Sequence, residues 1–184
     1  MKKNKLTLIR NNILYLFIAI FAFYLIFDLI APDKTVSVFG FKIYTVSSPS
    51  MEPTLMVDDA VLVVRTDVDK LVENKDIITF KAYIPELGEE DVVTHYFAGV
   101  IDTDDTLSYK TRGETSEIDE WKDSEGNPVD IKREDIIGKV SFKLPYLGEL
   151  IKILRDPIMV ILIVINIGII IYTVKLIKSR RKTA

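Results

Sequence analysis

The chain has no cysteine among its 184 residues and a single histidine. The first absence excludes disulfides, a thiol nucleophile and thiolate metal sites. The second excludes a zinc site built from several imidazoles. Catalysis, if there is any, must come from hydroxyl, carboxylate or amine groups, or from the one imidazole of His95. Acidic residues are missing from both ends, 1–12 and 175–184. No heptad pattern, solenoid period or low-complexity tract is present.

Two long apolar runs stand out. The first, 13–31, carries one charge, Asp28; the second, 157–174, is interrupted by Asn166 and Gly168. Each is close to the ~20 residues that cross a bilayer, the second at the short end of the range. Tyr15 and Tyr172 lie near the run ends, where interfacial aromatics often sit. Lys2, Lys3, Lys5 and Arg10 precede the first run; Lys175, Lys178, Arg180, Arg181 and Lys182 follow the second. Basic flanks stay on the cytoplasmic side. The expected organisation is therefore a cytoplasmic tail (1–12), a transmembrane helix (13–31), an extracytoplasmic β-rich domain (32–156), a second transmembrane helix (157–174) and a cytoplasmic tail (175–184). The length of the first run, Asp28 and the lack of a small-x-small site predict a retained anchor rather than a cleaved signal peptide.

The whole chain has a formal charge of −3, but nine of its 24 basic residues lie in the two tails and 26 of its 27 acids lie in 32–156. That domain stands near −11, which disfavours a nucleic-acid partner.

Within it the apolar pattern is short and β-branched. Strands are predicted over 36–46, 59–65, 76–80, 92–101, 107–111 and 136–142, at spacings typical of an all-β domain. Thr103, Asp104 and Asp105 predict a hairpin turn. Residues 124–132, with Gly126, Asn127 and Pro128, read as a loop, and 147–155 as a short helix leading to Pro157 at the first turn of the second anchor.

Chemistry concentrates in Ser48, Pro49, Ser50, Met51, Glu52, Pro53, Thr54 and Leu55. Two prolines within five residues hold a rigid, non-helical loop after the first strand. A serine nucleophile needs such a fixed loop, a base within reach and donors for the oxyanion. In an extended segment the Ser48 and Ser50 hydroxyls share a face, so one can attack while the other donates.

The pattern Ser48-x-Ser50-Met51-x-Pro53-Thr54-Leu55 closely resembles the serine box of type I signal peptidases, usually Ser-Gly-Ser-Met-x-Pro-Thr. Further blocks match in order: Asp76 to Phe80 with Val92-Val93-Thr94-His95, where the family's base resides; Thr111-Arg112-Gly113-Glu114 followed by Asp119 and Glu120, like its acidic block; then Ile136 to Val140 and Leu144-Pro145-Tyr146-Leu147-Gly148, like its closing strand and exit. The likeness covers roughly residues 46–148. Most bacterial members use a lysine base. The endoplasmic-reticulum type, found also in archaea and some Gram-positive bacteria, has histidine, and Val93-Thr94-His95 matches that branch.

The resemblance implies an exported, mainly β peptidase domain flanked by two transmembrane helices. Its substrates are signal-peptide-bearing preproteins, its setting is the lipid bilayer, and accessory subunits are open. It implies Ser50 as nucleophile, His95 as base, Ser48 as an oxyanion donor and no metal or organic cofactor. An imidazole, ordinarily half neutral near pH ~6.5, can accept a hydroxyl proton near neutrality. The third member implied is an aspartate orienting the imidazole: Asp119, with Glu120 as rival. The chain departs from the family at Pro49, in place of glycine, and at Glu114, in place of aspartate. Two other readings stay open: a serine hydrolase with Lys81 or Lys110 as base, and a non-catalytic membrane-anchored binding or assembly protein.

Overall fold

The computed structural model describes residues 2–103, 106–115 and 117–183. It opens on α1 (Lys2–Ile30), whose Thr7–Ile30 portion is long and apolar enough to cross a membrane. A short α2 (Thr35–Phe39) then leads into β1 (Phe41–Thr45) and β2 (Ala60–Val64). The long ribbon of β3 (Ile77–Ile84) and β4 (Glu89–Thr103) comes next, and β5 (Thr106–Arg112) pairs onto it. A two-strand ribbon, β6 (Trp121–Lys122) and β7 (Pro128–Val129), precedes β8 (Ile136–Leu144), and α3 (Gly148–Arg155) and α4 (Pro157–Thr183) close the chain.

The protein is mainly β. Six strands form one antiparallel sheet in the order β1-β2-β8-β3-β4-β5, and β6 and β7 form a second, small one. Alternation along β3 explains why two cores form. Ile78, Phe80 and Ala82 point one way, into a cluster with Val68, Phe97, Tyr109 and Ile131. Ile77 points the other way and packs against Met51, Leu55, Val61 and Val63. A period of two puts neighbours on opposite faces. The β3–β4 register sets Ile78 opposite His95, so the histidine lies on the Phe80 face of the sheet.

Three expectations from sequence come out differently, and a fourth falls partly outside the described residues. The strand expected over 36–46 starts only at Phe41, because Thr35–Phe39 is helical and ends at Gly40 with φ 80°. Glycine adopts that left-handed value without the Cβ penalty, which makes it a common helix terminator. The loop expected over 124–132 contains β7, whose Val129 pairs with Trp121. The turn expected at Thr103, Asp104 and Asp105 lies partly outside the described residues, since Asp104 and Asp105 are not among them. The second apolar run is helical within α4. Among the described residues, however, Gly148–Leu154 and Pro157–Ile170 reach membrane-crossing length only as a pair bent by 80°.

The exit from β8 is tied back to the start of the sheet. Gly148 N–H donates to the Asp58 carbonyl at 2.9 Å, and buried Asp59 accepts the Met56 and Tyr146 N–H groups. A Cβ on Gly148 would stand 2.5 Å from Thr45 Cγ2 and 2.6 Å from Asp58 O. Only a bare backbone lets α3 meet the end of β1 this closely. Gly148→Ala is therefore expected to lower stability by about 1–3 kcal/mol through overpacking, seen as a drop in Tm; an unchanged Tm would show that α3 is not seated there.

Candidate active site

The serine loop grows directly out of the edge strand. Past Thr45, Val46 still pairs with the Asp59 carbonyl at 2.8 Å, and Ser48 remains extended at φ −128°, ψ 153°. The chain then enters a 3-10 turn, Pro49–Met51. Proline suits the first position of such a turn, where a missing N–H costs nothing and φ is already right. Pro49 thus fits the loop without the freedom of the glycine usual in the resembled family. Ser50 is the second residue of the turn, a position whose N–H has no partner within it. Met51 and Leu55 behind it are 1% and 2% exposed and fasten the loop to the second core cluster.

The structure brings together four residues singled out in the sequence. Ser50 Oγ lies 3.0 Å from His95 Nε2. His95 Nδ1 lies 2.7 Å from Asp119 Oδ2. Ser48 Oγ lies 3.1 Å from Ser50 Oγ. These separations suit proton transfer between positioned side chains.

Asp119 fixes the tautomer. Its carboxylate accepts, so Nδ1 carries the proton and Nε2 presents its lone pair to Ser50. With the Ser50 proton directed at His95, the Ser48 hydroxyl donates to Ser50 Oγ. The imidazole is 8% exposed and is held between the rings of Phe80, at 6.3 Å, and Trp121, at 5.9 Å. Burial works against the Asp119 charge. The His95 hydrogen bond and charge, the Thr111 hydroxyl and the Gly113 backbone outweigh it and hold the carboxyl below its usual value.

The rivals lie elsewhere. Glu120 is exposed and has no place in this chain of bonds. Lys81 Nζ is paired with Asp33 at 3.1 Å and Lys110 Nζ with Asp130 at 2.6 Å. Glu114 contributes through its backbone, its N–H donating to the Ser50 carbonyl at 2.9 Å.

Two supporting residues escaped sequence reasoning. Thr111 donates to Asp119 Oδ2 at 2.8 Å and receives the Trp121 indole N–H at 2.9 Å. The pattern held a hint, since Thr111 falls two residues after the core residue Tyr109 and so on its face. The only tryptophan, two residues after Asp119, was the other hint.

A cleft of about 470 Å³ opens over these groups. Residues 45–48 and the serine loop form one wall; the β3–β4 ribbon, with Ile84, Asp91 and Val93, forms the other. Among the described residues no cluster of three histidine or carboxylate side chains is placed to hold a metal ion. No known family model matches the chain, and no curated protein matches it.

The Asp119 environment sets a pH sign. Because its folded pKa is lowered, the ionised carboxylate contributes stability that is present above the unfolded value, near 3.8, and is lost as pH falls through the folded one. Thr111→Val removes one of the donors that lower it and leaves the Trp121 N–H unpaired. A loss of about 1–3 kcal/mol at neutral pH is expected, together with an acid-unfolding midpoint moved to higher pH. An unmoved midpoint would mean that the Thr111 hydroxyl does not hold the Asp119 charge.

Proposed function

We propose that this chain is a membrane-bound serine endopeptidase of the type I signal peptidase kind, removing signal peptides from exported preproteins. The observation that carries the reading is the unbroken chain Ser50 Oγ–His95 Nε2 at 3.0 Å and His95 Nδ1–Asp119 Oδ2 at 2.7 Å, set in a cleft on a domain that follows a membrane-competent helix.

In this reading α1 and α4 both span the bilayer, both basic tails are cytoplasmic, and the acidic β domain faces the far side. The substrate lies extended in the cleft along residues 45–48, where the sheet edge supplies backbone partners. Small residues before the scissile bond fit the shallow space over Met51 and Leu55. Ser50 Oγ attacks the carbonyl carbon as His95 Nε2 takes its proton. The oxyanion receives the Ser50 N–H and the Ser48 hydroxyl, which turns from Ser50 Oγ as that atom becomes bonded. The imidazolium, steadied by Asp119, then protonates the leaving amine. Water, deprotonated by the same imidazole, releases the acyl group and restores Ser50.

Cleavage of a model preprotein by the full chain in lipid vesicles tests this. Ser50→Ala and His95→Ala are each expected to lower kcat by about 10⁴-fold or more. Asp119→Asn should cost about 10⁴-fold through the wrong tautomer, while Glu120→Gln stays within about twofold of wild type, as surface changes usually do. Cutting that survives in His95→Ala would move the base to Lys81 or Lys110. Function that survives in Ser50→Ala would make the chain a binding protein.

A further inference from the structure

Asp28 is the lone charge of the apolar run 13–31, and 24–32 offers no cation within a helical turn of it. The structure nevertheless buries it to 8% exposure, the only buried residue of α1 among those whose burial is described. Its Oδ1 lies 3.0 Å from Lys42 Nζ and accepts the Thr35 hydroxyl at 2.8 Å. Lys42 Nζ also donates to the Pro32 carbonyl at 2.9 Å and sits over the Tyr44 ring at 5.0 Å. Lys42 and Thr35 are themselves 5% and 0% exposed. Aromatic rings close the joint: Tyr24 stacks on Phe41 at 5.4 Å, and Phe27 meets Phe39 edge-on at 5.3 Å.

Apolar residues of similar size often stabilise a fold as well as a buried ion pair does. In some folds such a pair adds a single allowed arrangement, because a slip leaves a buried charge without its partner. The joint between α1 and β1 has the parts for such a role: a carboxylate, an ammonium and a hydroxyl, all buried, with the ammonium and the hydroxyl both bonded to the carboxylate.

The position of that joint matters because β1 leads straight to the nucleophile. Lys42 lies in β1, in register with Val63. The strand continues through Val46, paired with Asp59, to Ser48 and Ser50. At about 3.3 Å per residue, Lys42 to Ser48 spans roughly 20 Å of stiff chain. The apolar end of α1 and the nucleophile are thus two ends of one braced segment.

We infer that Asp28, Lys42 and Thr35 form a height-setting clamp that fixes Ser50 at one distance from the lipid edge. It thereby selects which peptide bond of a membrane-tethered chain is cut. The inference rests on the peptidase reading above. Asp28 and Lys42 are positioning residues and touch none of the reacting atoms.

The test uses the full chain in vesicles and three variants: Asp28→Asn, Lys42→Met, and the double variant Asp28→Leu/Lys42→Met, which leaves no buried charge unpaired. Substrates carry the cleavage sequence at one-residue steps from an apolar anchoring segment; a soluble peptide carries the same sequence without the anchor. Wild type should show one preferred spacing. The variants should lose about tenfold at that spacing, cut neighbouring spacings equally well, and cut the soluble peptide within about twofold of wild type. In parallel, a dye on Glu125→Cys, unique in a chain without cysteine, reports height by energy transfer to acceptor lipids. One distance is expected in wild type, and a shifted or broadened one in the variants. Unchanged spacing preference and unchanged transfer would overturn the clamp. So would an equal loss on the soluble peptide, which would make the pair a support of the fold alone, or a sharp wild-type spacing in the double variant. If wild type cuts neither substrate, the peptidase reading falls, and the energy-transfer result still decides whether the clamp sets height.

Discussion

The hydrogen bond between His95 Nδ1 and Asp119, 2.7 Å long, is the interaction on which the rest of the site depends. A lone imidazole can carry its proton on either nitrogen. Only one choice turns a lone pair towards Ser50, and a carboxylate on the other side makes that choice. Much of the local fold serves this one proton. β4 places His95 opposite Ile78, with Phe80 and Trp121 against the ring. β5 supplies Thr111, which receives the Trp121 N–H and gives its own proton to Asp119. The carboxylate stays charged in a half-buried place because its donors outweigh the cost of burial. Each group in the chain Trp121, Thr111, Asp119, His95 and Ser50 has its role set by its neighbour, so the polarity runs in one direction.

A second constraint is mechanical. The serine loop has no freedom of its own: Pro49 starts a 3-10 turn, Met51 and Leu55 are buried, and the Glu114 N–H holds the Ser50 carbonyl. The loop is the continuation of β1, and β1 is braced at both ends, by Lys42 and Asp28 on one side and by Gly148 against Thr45 and Asp58 on the other. One brace joins the sheet to the apolar end of α1, the other to the amphipathic α3. The serine loop and the attachment to the membrane-competent helix α1 are therefore parts of one path through the sheet, which suits the proposed reading.

Much of this was legible in the sequence, for physical reasons that can be named. Ser48, Ser50 and the flanking prolines declare a stiff loop by composition alone. A single histidine leaves one choice of imidazole. The β-branched runs mark β2, β5 and β8 to within two residues of their limits, because alternation and burial agree there, whereas β3 runs on to Ile84, four residues past the expected end. What escaped depended on contacts between distant residues. Whether Asp119 or Glu120 faces His95 turns on a loop path with no periodicity to read, and one residue's shift exchanges them. Thr111 read as the end of a strand and the head of the acidic block, with no role for its hydroxyl. Asp28 read only as a sign of a retained anchor, because its partner lies 14 positions away across the α2 turn. The residues before Gly40 read as strand because their β-branched side chains favour one, yet the chain turns helically to bring Thr35 onto Asp28: tertiary contact overrode propensity.

The most direct test of the account is the NMR spectrum of the imidazole, which is free of overlap because the chain has one histidine. With ¹⁵N-labelled histidine in the full protein, the account predicts a strongly downfield proton bonded to Nδ1, a bare Nε2 at pH values where the ring is neutral, and loss of the downfield signal in Asp119→Ala. A proton on Nε2 instead, or an Nδ1 signal indifferent to Asp119, would contradict it, because His95 would then have no lone pair to offer Ser50.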